Sequence, residues 1–204
     1  MIIVLTLVEF LCGSLMFSYW LGRIARKDLK SVGDGNPGAF NLWNAAGYKL
    51  GLAGVLLDFM KGYLPLVLFI ENGVVQGYEI VLIAAAPIVG HAFSPFMKFK
   101  GGKAIAVTFG VWSALTRFEV SLAYAIILAI LLAISTIIKK GKPVSTEANA
   151  FQAVFGMLLV SVYLYLRNFS MPYFCLWFLN LLLLSYTNKS KIAIYLKRKN
   201  YHGS

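Results

Sequence analysis

The residues best suited to chemistry lie in two glycine-rich stretches of an otherwise apolar chain. Residues 31–41 read SVGDGNPGAFN and hold three glycines together with Asp34, Asn36 and Asn41. Residues 99–106 read FKGGKAIA, so that two glycines and a lysine open an apolar segment. Glycine-rich turns can direct several backbone N–H groups at one point, and a helix start adds partial positive charge. The second stretch therefore indicates a site for a phosphate or another oxyanion, with an ordinary turn as the alternative.

Three further polar residues lie within or beside apolar segments. Asp58 and Lys61 are three residues apart, so they share one helix face and can pair. We expect an internal ion pair that holds helices together, with direct catalysis as the alternative. His91 ends another apolar segment close to the Gly-Gly-Lys turn, and we interpret it as a candidate general base.

The elements that must position these residues are membrane helices. The chain has 204 residues, of which 59% are hydrophobic and only 13% are charged, unlike a soluble domain. Apolar blocks of membrane-spanning length predict helices, because lipid leaves no other partner for the backbone. They are Ile2–Gly22, Gly51–Ile70, Ile80–Phe93, Val120–Ile138, Ala148–Leu166 and Met171–Tyr186, and the shorter Ala104–Thr116 is a seventh. We predict an all-α integral membrane protein with about seven hydrophobic helices.

The positive charge is distributed as a topology signal and does not suggest nucleic-acid binding. Most of the 19 Lys and Arg residues fall in four clusters between apolar blocks, and the intervening connections hold few cations. This alternation predicts an N-terminus outside, a C-terminus in the cytoplasm and glycine-rich loops on the cytoplasmic side. The clusters span residues 23–30, 98–103, 139–142 and 189–199.

These features together resemble the bacterial acyl-phosphate-dependent glycerol-3-phosphate acyltransferases of the PlsY type. The similarity covers nearly the whole chain and is strongest in three segments, which occur in the family order: VGDGNPGAFN, LLDFMKGYLP and GHAFSPFMKFKGGKAIA. The resemblance implies a membrane enzyme that moves a fatty acyl group from acyl-phosphate to the 1-hydroxyl of glycerol 3-phosphate. The product is lysophosphatidate, and the reaction requires no metal or other cofactor.

The resemblance also implies which residues form the site. The first motif is expected to line the reaction centre and the second to bind glycerol 3-phosphate. A serine-bearing loop of the family aligns with Ser145. The implied catalytic residues are Asn36, His91 and Ser145, and the implied substrate-binding residues are Gly35, Gly38, Asn41, Lys100, Gly101, Gly102 and Lys103.

Several positions depart from the family pattern. The family usually has Ser at Asp34, Thr at Phe40 and Arg at Asn44, and it prefers Gly at Ala104. Its third motif carries a His and an Asn, where Asn188 and Lys191 align here. A carboxylate at position 34 would repel substrate phosphates unless Lys30 or Lys103 pairs with it.

The expected function is therefore glycerol-3-phosphate acylation in phospholipid biosynthesis. The alternatives are a divergent paralogue that acylates another acceptor and a non-catalytic lipid-binding paralogue. The expected partners are the two substrates and the lipid bilayer. We expect a multi-pass protein of the bacterial inner membrane, with residues 1–187 as the acyltransferase-like domain and residues 188–204 as a basic cytoplasmic tail.

Overall fold

The computed structural model describes the backbone of residues 1–201 and the side chains of residues 1–197. All regular structure within this range is helical, which confirms the predicted all-α fold. The helices in chain order are α1 (Ile2–Ser14), α2 (Phe17–Ile24), α3 (Ala39–Ala46), α4 (Tyr48–Glu71), α5 (Glu79–Ala92), α6 (Ile105–Thr116), α7 (Glu119–Ile138), α8 (Thr146–Leu166) and α9 (Met171–Tyr201).

Five segments of the described chain are long and apolar enough to cross a membrane by length and composition. They are Ile2–Ile24, Tyr48–Glu71, Glu79–Met97, Glu119–Ile138 and Thr146–Leu166. The apolar helix α6 has only 12 residues, as expected from the short predicted segment. Each of the seven predicted blocks is helical.

The chain divides into two compact units. In the first, Met1–Phe118, α1 packs on α5, α4 packs on α6, and the short helices α2 and α3 pack on α4. In the second, which begins at Glu119, α8 packs against both α7 and α9. Both glycine-rich stretches belong to the first unit.

Glycines allow the helices of the first unit to approach closely. A side-chain carbon at Gly13 of α1 would overlap the backbone of Pro87 in α5, and one at Gly90 would overlap the Phe10 carbonyl. On the other helix pair, a side-chain carbon at Gly62 of α4 would lie 2.6 Å from the Val107 carbonyl of α6. Such small-residue contacts are typical of helix pairs in membranes, where close packing replaces hydrophobic burial as the source of stability.

The first apolar block forms two helices with a break at Leu15 and Met16, whereas the sequence predicts one uninterrupted span. A break frees backbone carbonyls that lipid cannot satisfy. Here the Ser14 carbonyl accepts a hydrogen bond from Ser94 Oγ at 2.7 Å, and the Leu15 carbonyl accepts one from Lys61 Nζ. Side chains of other elements therefore stabilise the break.

Two further segments differ from simple expectation. Residues 39–46 form the helix α3 directly after the first glycine-rich loop, in a stretch that the sequence marks only as polar and glycine-dense. Helix α9 continues through residue 188 to Tyr201 without interruption. The proposed division between residues 1–187 and a basic tail therefore has no helix end at that point and stays a prediction.

The close approach of α1 and α5 predicts that Gly13→Ala destabilises the fold. The added methyl group has no space beside Pro87, and overpacking of this kind costs about 1–3 kcal/mol. The thermal unfolding midpoint of the purified protein in detergent should fall accordingly. Ala125→Val, which adds methyl groups at an exposed position of α7, is the control. An unchanged midpoint for Gly13→Ala would contradict the packing described here.

Candidate functional site

The first glycine-rich loop is organised around the side chain of Asn41. The Asn41 Nδ2 lies 2.8 Å from the Val32 carbonyl, 2.9 Å from the Asn36 carbonyl and 3.0 Å from Asp34 Oδ1. The residue is only 1% exposed. A side-chain carbon at Gly33 would lie 2.6 Å from Asn41 Oδ1. The buried Asn41 side chain therefore stabilises the conformation of the loop through these contacts.

Asn36 and its neighbouring glycines form the outer part of this loop. Gly35 has a φ of 72°, a left-handed conformation that glycine adopts without strain. A side-chain carbon at Gly38 would lie 2.8 Å from Asn36 Nδ2, so the Asn36 amide folds back over Gly38. Gly38 is also the N-cap of α3. The half-buried Asn36 amide is thus presented at the start of that helix.

The Gly-Gly-Lys turn lies directly on the C-terminal end of α5. The Gly101 N–H donates to the Ala92 carbonyl and the Gly102 N–H to the His91 carbonyl, both at 3.0 Å. A side-chain carbon at Gly101 would overlap the His91 carbonyl, and one at Gly102 would overlap the His91 ring. Only glycine allows this approach, and both N–H groups are used within the fold.

Since the two glycine N–H groups are already used, the groups at this turn that suit an anion are the start of α6 and the neighbouring lysines. Ala104 is the N-cap of α6 in a left-handed conformation, with a φ of 61°, which explains why glycine suits this position. The first N–H groups of a helix have no intrahelical partner and carry partial positive charge. Lys100 is exposed and Lys103 half-buried beside this helix start.

An ion pair joins the loop to the turn. Lys103 Nζ lies 2.6 Å from Asp34 Oδ2, while Asp34 Oδ1 accepts hydrogen bonds from the Asn36 N–H and the Asn41 amide. Burial by itself raises the pKa of the Asp34 carboxyl, but the Lys103 pair and these two hydrogen bonds outweigh it and lower the pKa below its ordinary value. The carboxylate is therefore charged at neutral pH, and Lys103 compensates it, as one of the two predicted pairings requires.

A line of buried polar side chains lies beneath the turn. Asp58 and Lys61 form the expected ion pair at 2.8 Å, and both are almost fully buried. Ser18 Oγ donates to Asp58 Oδ2 at 2.6 Å, and Lys61 Nζ lies 2.8 Å from His91 Nδ1. The contribution of Ser18 was not anticipated, and its only sequence signal is a hydroxyl within an apolar block.

Asn44 takes no part in these contacts, and two further predicted residues belong to the second unit. Asn44 is exposed on α3. In the second unit, Ser145 is the N-cap of α8, and its Oγ accepts from the Ala148 N–H at 3.3 Å. Asn188 of α9 is buried, and its Nδ2 donates to the Leu184 carbonyl at 2.9 Å. An ion pair of 3.7 Å between Glu147 and Lys191 brings the start of α8 to α9, one turn beyond Asn188.

The first unit thus brings together Asp34, Gly35, Asn36, Gly38, Asn41, His91, Gly101, Gly102 and Lys103 through the contacts described above. The fold and these contacts define a helical membrane protein with a glycine-rich, lysine-bearing cluster, which is a candidate site for an anion.

Comparisons with known proteins specify this class further. The model of a family described as glycerol-3-phosphate acyltransferase matches residues 3–198. Glycerol-3-phosphate acyltransferase 1 of Thermotoga maritima is 39% identical over 194 residues, which cover 93% of this chain and 95% of the relative. Glycerol-3-phosphate acyltransferase of Aquifex aeolicus is 31% identical over 128 residues, 63% of this chain and 67% of the relative.

Solved structures agree on the fold. The crystal structure of PlsY, an integral membrane glycerol 3-phosphate acyltransferase, in its glycerol 3-phosphate form matches with a TM-score of 0.83 and 22% identity, over 96% of this chain and 92% of that one. Its lysophosphatidic acid form matches with a TM-score of 0.82 and 23% identity over the same shares. The chain belongs to the glycerol-3-phosphate acyltransferase family and is a multi-pass integral membrane protein.

The Asp34–Lys103 pair predicts a pH-dependent contribution to stability. At neutral pH, Asp34→Asn should lower the free energy of unfolding by about 2 kcal/mol, between the values for exposed and buried pairs. Because the pKa of Asp34 is lower in the folded protein, the unfolded chain takes up the proton first. The contribution is therefore present above the unfolded pKa and is lost as the pH falls through the folded pKa.

Thermal unfolding of the wild type and Asp34→Asn between pH 7 and pH 3 measures this effect. The two midpoints should differ most near neutral pH, and the difference should shrink as the pH falls below the ordinary pKa of an aspartate. Asp28→Asn, at an exposed carboxylate in the same connection, is the control. A gap between the wild type and Asp34→Asn that stays constant over the whole range would show that the charge of Asp34 is not responsible.

Proposed function

We propose that the protein transfers a fatty acyl group from acyl-phosphate to the 1-hydroxyl of glycerol 3-phosphate. The hydroxyl oxygen forms an ester bond to the acyl carbon, and the bond from that carbon to the phosphate oxygen breaks. Lysophosphatidate and inorganic phosphate are released, and the hydroxyl proton leaves with the phosphate. Family membership supports this activity, because the relatives are named for glycerol 3-phosphate acylation.

The observation that carries the proposal is the 2.6 Å ion pair between Asp34 and Lys103. It joins the loop that presents Asn36 to the helix start that can hold an anion. Both substrates carry a phosphate, and the donor is already activated. A site that positions the substrates and stabilises charge is therefore sufficient for acyl transfer.

The residues divide into two groups in this scheme. The start of α6, with Lys100 and Lys103, binds the phosphate of glycerol 3-phosphate. The positive charge of Lys103, half-buried beside this helix start, attracts the phosphate while the pair with Asp34 holds the lysine in position. Asn36, with Gly35 and Gly38 beside it, faces the reaction centre, and Asn41 holds that loop in place.

One observation favours a second candidate function, the acylation of a different hydroxyl acceptor. Asn44 is exposed on α3 and carries no charge, whereas the family usually has an arginine there. An amide cannot supply the bidentate, charged contact that arginine makes to a phosphate. An acceptor without a phosphate would not need that contact.

We also propose that the site faces the cytoplasm in a bacterial inner membrane, with the N-terminus outside. The support is the alternation of cation-rich and cation-poor connections along the chain. Acyl-phosphate is amphipathic, so this placement would let its chain stay in the bilayer while its phosphate enters from the aqueous side.

The first test of the function measures lysophosphatidate formed from palmitoyl-phosphate and labelled glycerol 3-phosphate by the protein in lipid vesicles. Lys103→Met should lower kcat/KM by about a hundredfold, because it removes a charge-assisted contact and leaves Asp34 facing the phosphate. The double variant Lys103→Met with Asp34→Asn should recover part of this loss. Lys98→Met, at an exposed lysine of the same connection, is the control.

The outcomes of this test separate the candidates. Lysophosphatidate formation that depends on Lys103 and not on Lys98 supports the proposal. Acylation of glycerol but not of glycerol 3-phosphate would reject the acceptor while retaining acyl transfer. If the folded wild type consumes no palmitoyl-phosphate, the proposed activity is rejected.

The second test concerns Ser145. Its oxygen accepts the capping hydrogen bond, which leaves the hydroxyl hydrogen available to a substrate. Ser145→Ala should lower the free energy of unfolding by about 1 kcal/mol, whereas Ser145→Gly should lower it by only a few tenths, because glycine is tolerated at helix caps. Turnover should fall about tenfold in both variants, because neither has a side-chain donor. Wild-type turnover in Ser145→Gly would restrict the residue to capping.

A further inference from the structure

The buried chain Ser18–Asp58–Lys61–His91 extends from the first helix break to the Gly-Gly-Lys turn. Each of the four side chains is at most 5% exposed. Ser18 donates to Asp58, Asp58 pairs with Lys61, and Lys61 contacts the His91 ring. Four polar side chains in an apolar interior are costly unless each has a defined partner. Their arrangement therefore constrains where the protons lie.

The hydrogen-bonding contacts of Lys61 determine which nitrogen of the His91 ring carries the proton. The ammonium has three N–H donors and no acceptor. Its three partners are the Leu15 carbonyl, the Asp58 carboxylate and His91 Nδ1. Because the ammonium has no lone pair, the 2.8 Å contact with the ring is an N–H of Lys61 donated to Nδ1. Nδ1 must then be unprotonated, and the ring proton lies on Nε2.

The Nε2 atom points at the glycine-rich turn. A side-chain carbon at Gly102 would overlap Nε2 itself. Because Gly102 has no side chain, the backbone of the turn can pack directly against the His91 ring. The Gly102 N–H donates to the carbonyl of His91, which holds the two residues together at 3.0 Å. Within the described part of the chain, no hydrogen bond is made by Nε2. An N–H donor is therefore directed at the turn without a protein acceptor.

We propose that His91 is a hydrogen-bond donor to the anion held at the Gly-Gly-Lys turn, and that Ser18, Asp58 and Lys61 position it by holding the Nε2–H tautomer. The identity of the anion as the phosphate of glycerol 3-phosphate rests on the proposed function. In this arrangement Nδ1 faces an ammonium and Nε2 already carries a proton. His91 has no basic nitrogen available for the acceptor hydroxyl, so this role replaces that of general base.

The spectroscopic test reads the tautomer directly. The chain has two histidines, so His202→Gln leaves a single imidazole signal in protein labelled with 15N-histidine. We expect the 15N shifts to show a protonated Nε2 and an unprotonated Nδ1 at neutral pH. Glycerol 3-phosphate, or inorganic phosphate as a simpler probe, should shift the Nε2–H proton downfield.

Two results would overturn the proposal. One is a ring protonated on Nδ1 or on both nitrogens. The other is an unchanged Nε2–H signal under conditions where thermal stabilisation shows that the phosphate probe has bound. Neither measurement requires turnover, so a failure of the proposed acyl transfer is distinguishable from a failure of this inference.

Kinetic variants separate a donor from a base. Removal of a hydrogen bond to a charged group should raise KM for glycerol 3-phosphate about 10- to 100-fold in His91→Leu, with a smaller change in kcat. His91→Gln retains an N–H donor and should recover most of this loss. Loss of a base would instead lower kcat in both variants, and that result would also overturn the proposal.

A matched pair of serine variants tests the positioning chain. Ser18→Ala removes the hydrogen bond to Asp58, whereas Ser14→Ala removes a 2.7 Å bond to the Phe10 carbonyl within one helix. Both serines are fully buried, so the two changes disturb packing similarly. Only Ser18→Ala should shift the His91 15N signals and raise KM for glycerol 3-phosphate. Equal shifts of the His91 15N signals in both variants would show that Ser18 has only a structural role.

Discussion

The first unit depends on one buried ammonium group. An isolated charge in the apolar interior would be strongly unfavourable, and Lys61 is stabilised by a carboxylate, a backbone carbonyl and an imidazole nitrogen. These partners belong to α4, to the break after α1 and to α5. The contacts that neutralise the charge therefore also fix the break and the orientation of the His91 ring. Loss of any partner would leave a buried polar group unsatisfied.

The glycines of the Gly-Gly-Lys turn serve close packing more than direct anion binding. The Gly101 and Gly102 N–H groups donate to carbonyls at the end of α5, and neither position has space for a side chain. The groups proposed to bind the anion are therefore the start of α6, Lys103 and the His91 ring. A glycine-rich motif can thus mark a phosphate site because it brings other donors together.

Asp34 shows how the structure accommodates a carboxylate at a position where the family usually has a serine. A negative group beside substrate phosphate would weaken binding if it were unpaired. Here Asp34 accepts hydrogen bonds from two asparagines through one oxygen and pairs with Lys103 through the other. The same residue that introduces repulsion therefore joins the loop to the turn. In the proposed function, the charge of Lys103 offsets the repulsion between this carboxylate and the substrate phosphate.

The sequence by itself determined the helical membrane fold, the family and the Asp58–Lys61 pair. The fold is predictable because the hydrocarbon thickness sets the length of the apolar blocks. The family is predictable because its motifs lie in continuous stretches of sequence. The ion pair is predictable because a spacing of three residues places two side chains on one helix face. Only the tertiary structure decided that Asp34 pairs with Lys103, 69 positions away, and that Lys61 holds a helix break 46 positions away. Such contacts depend on how helices pack, because hydrophobic patterns specify which segments are helical but not which polar groups meet.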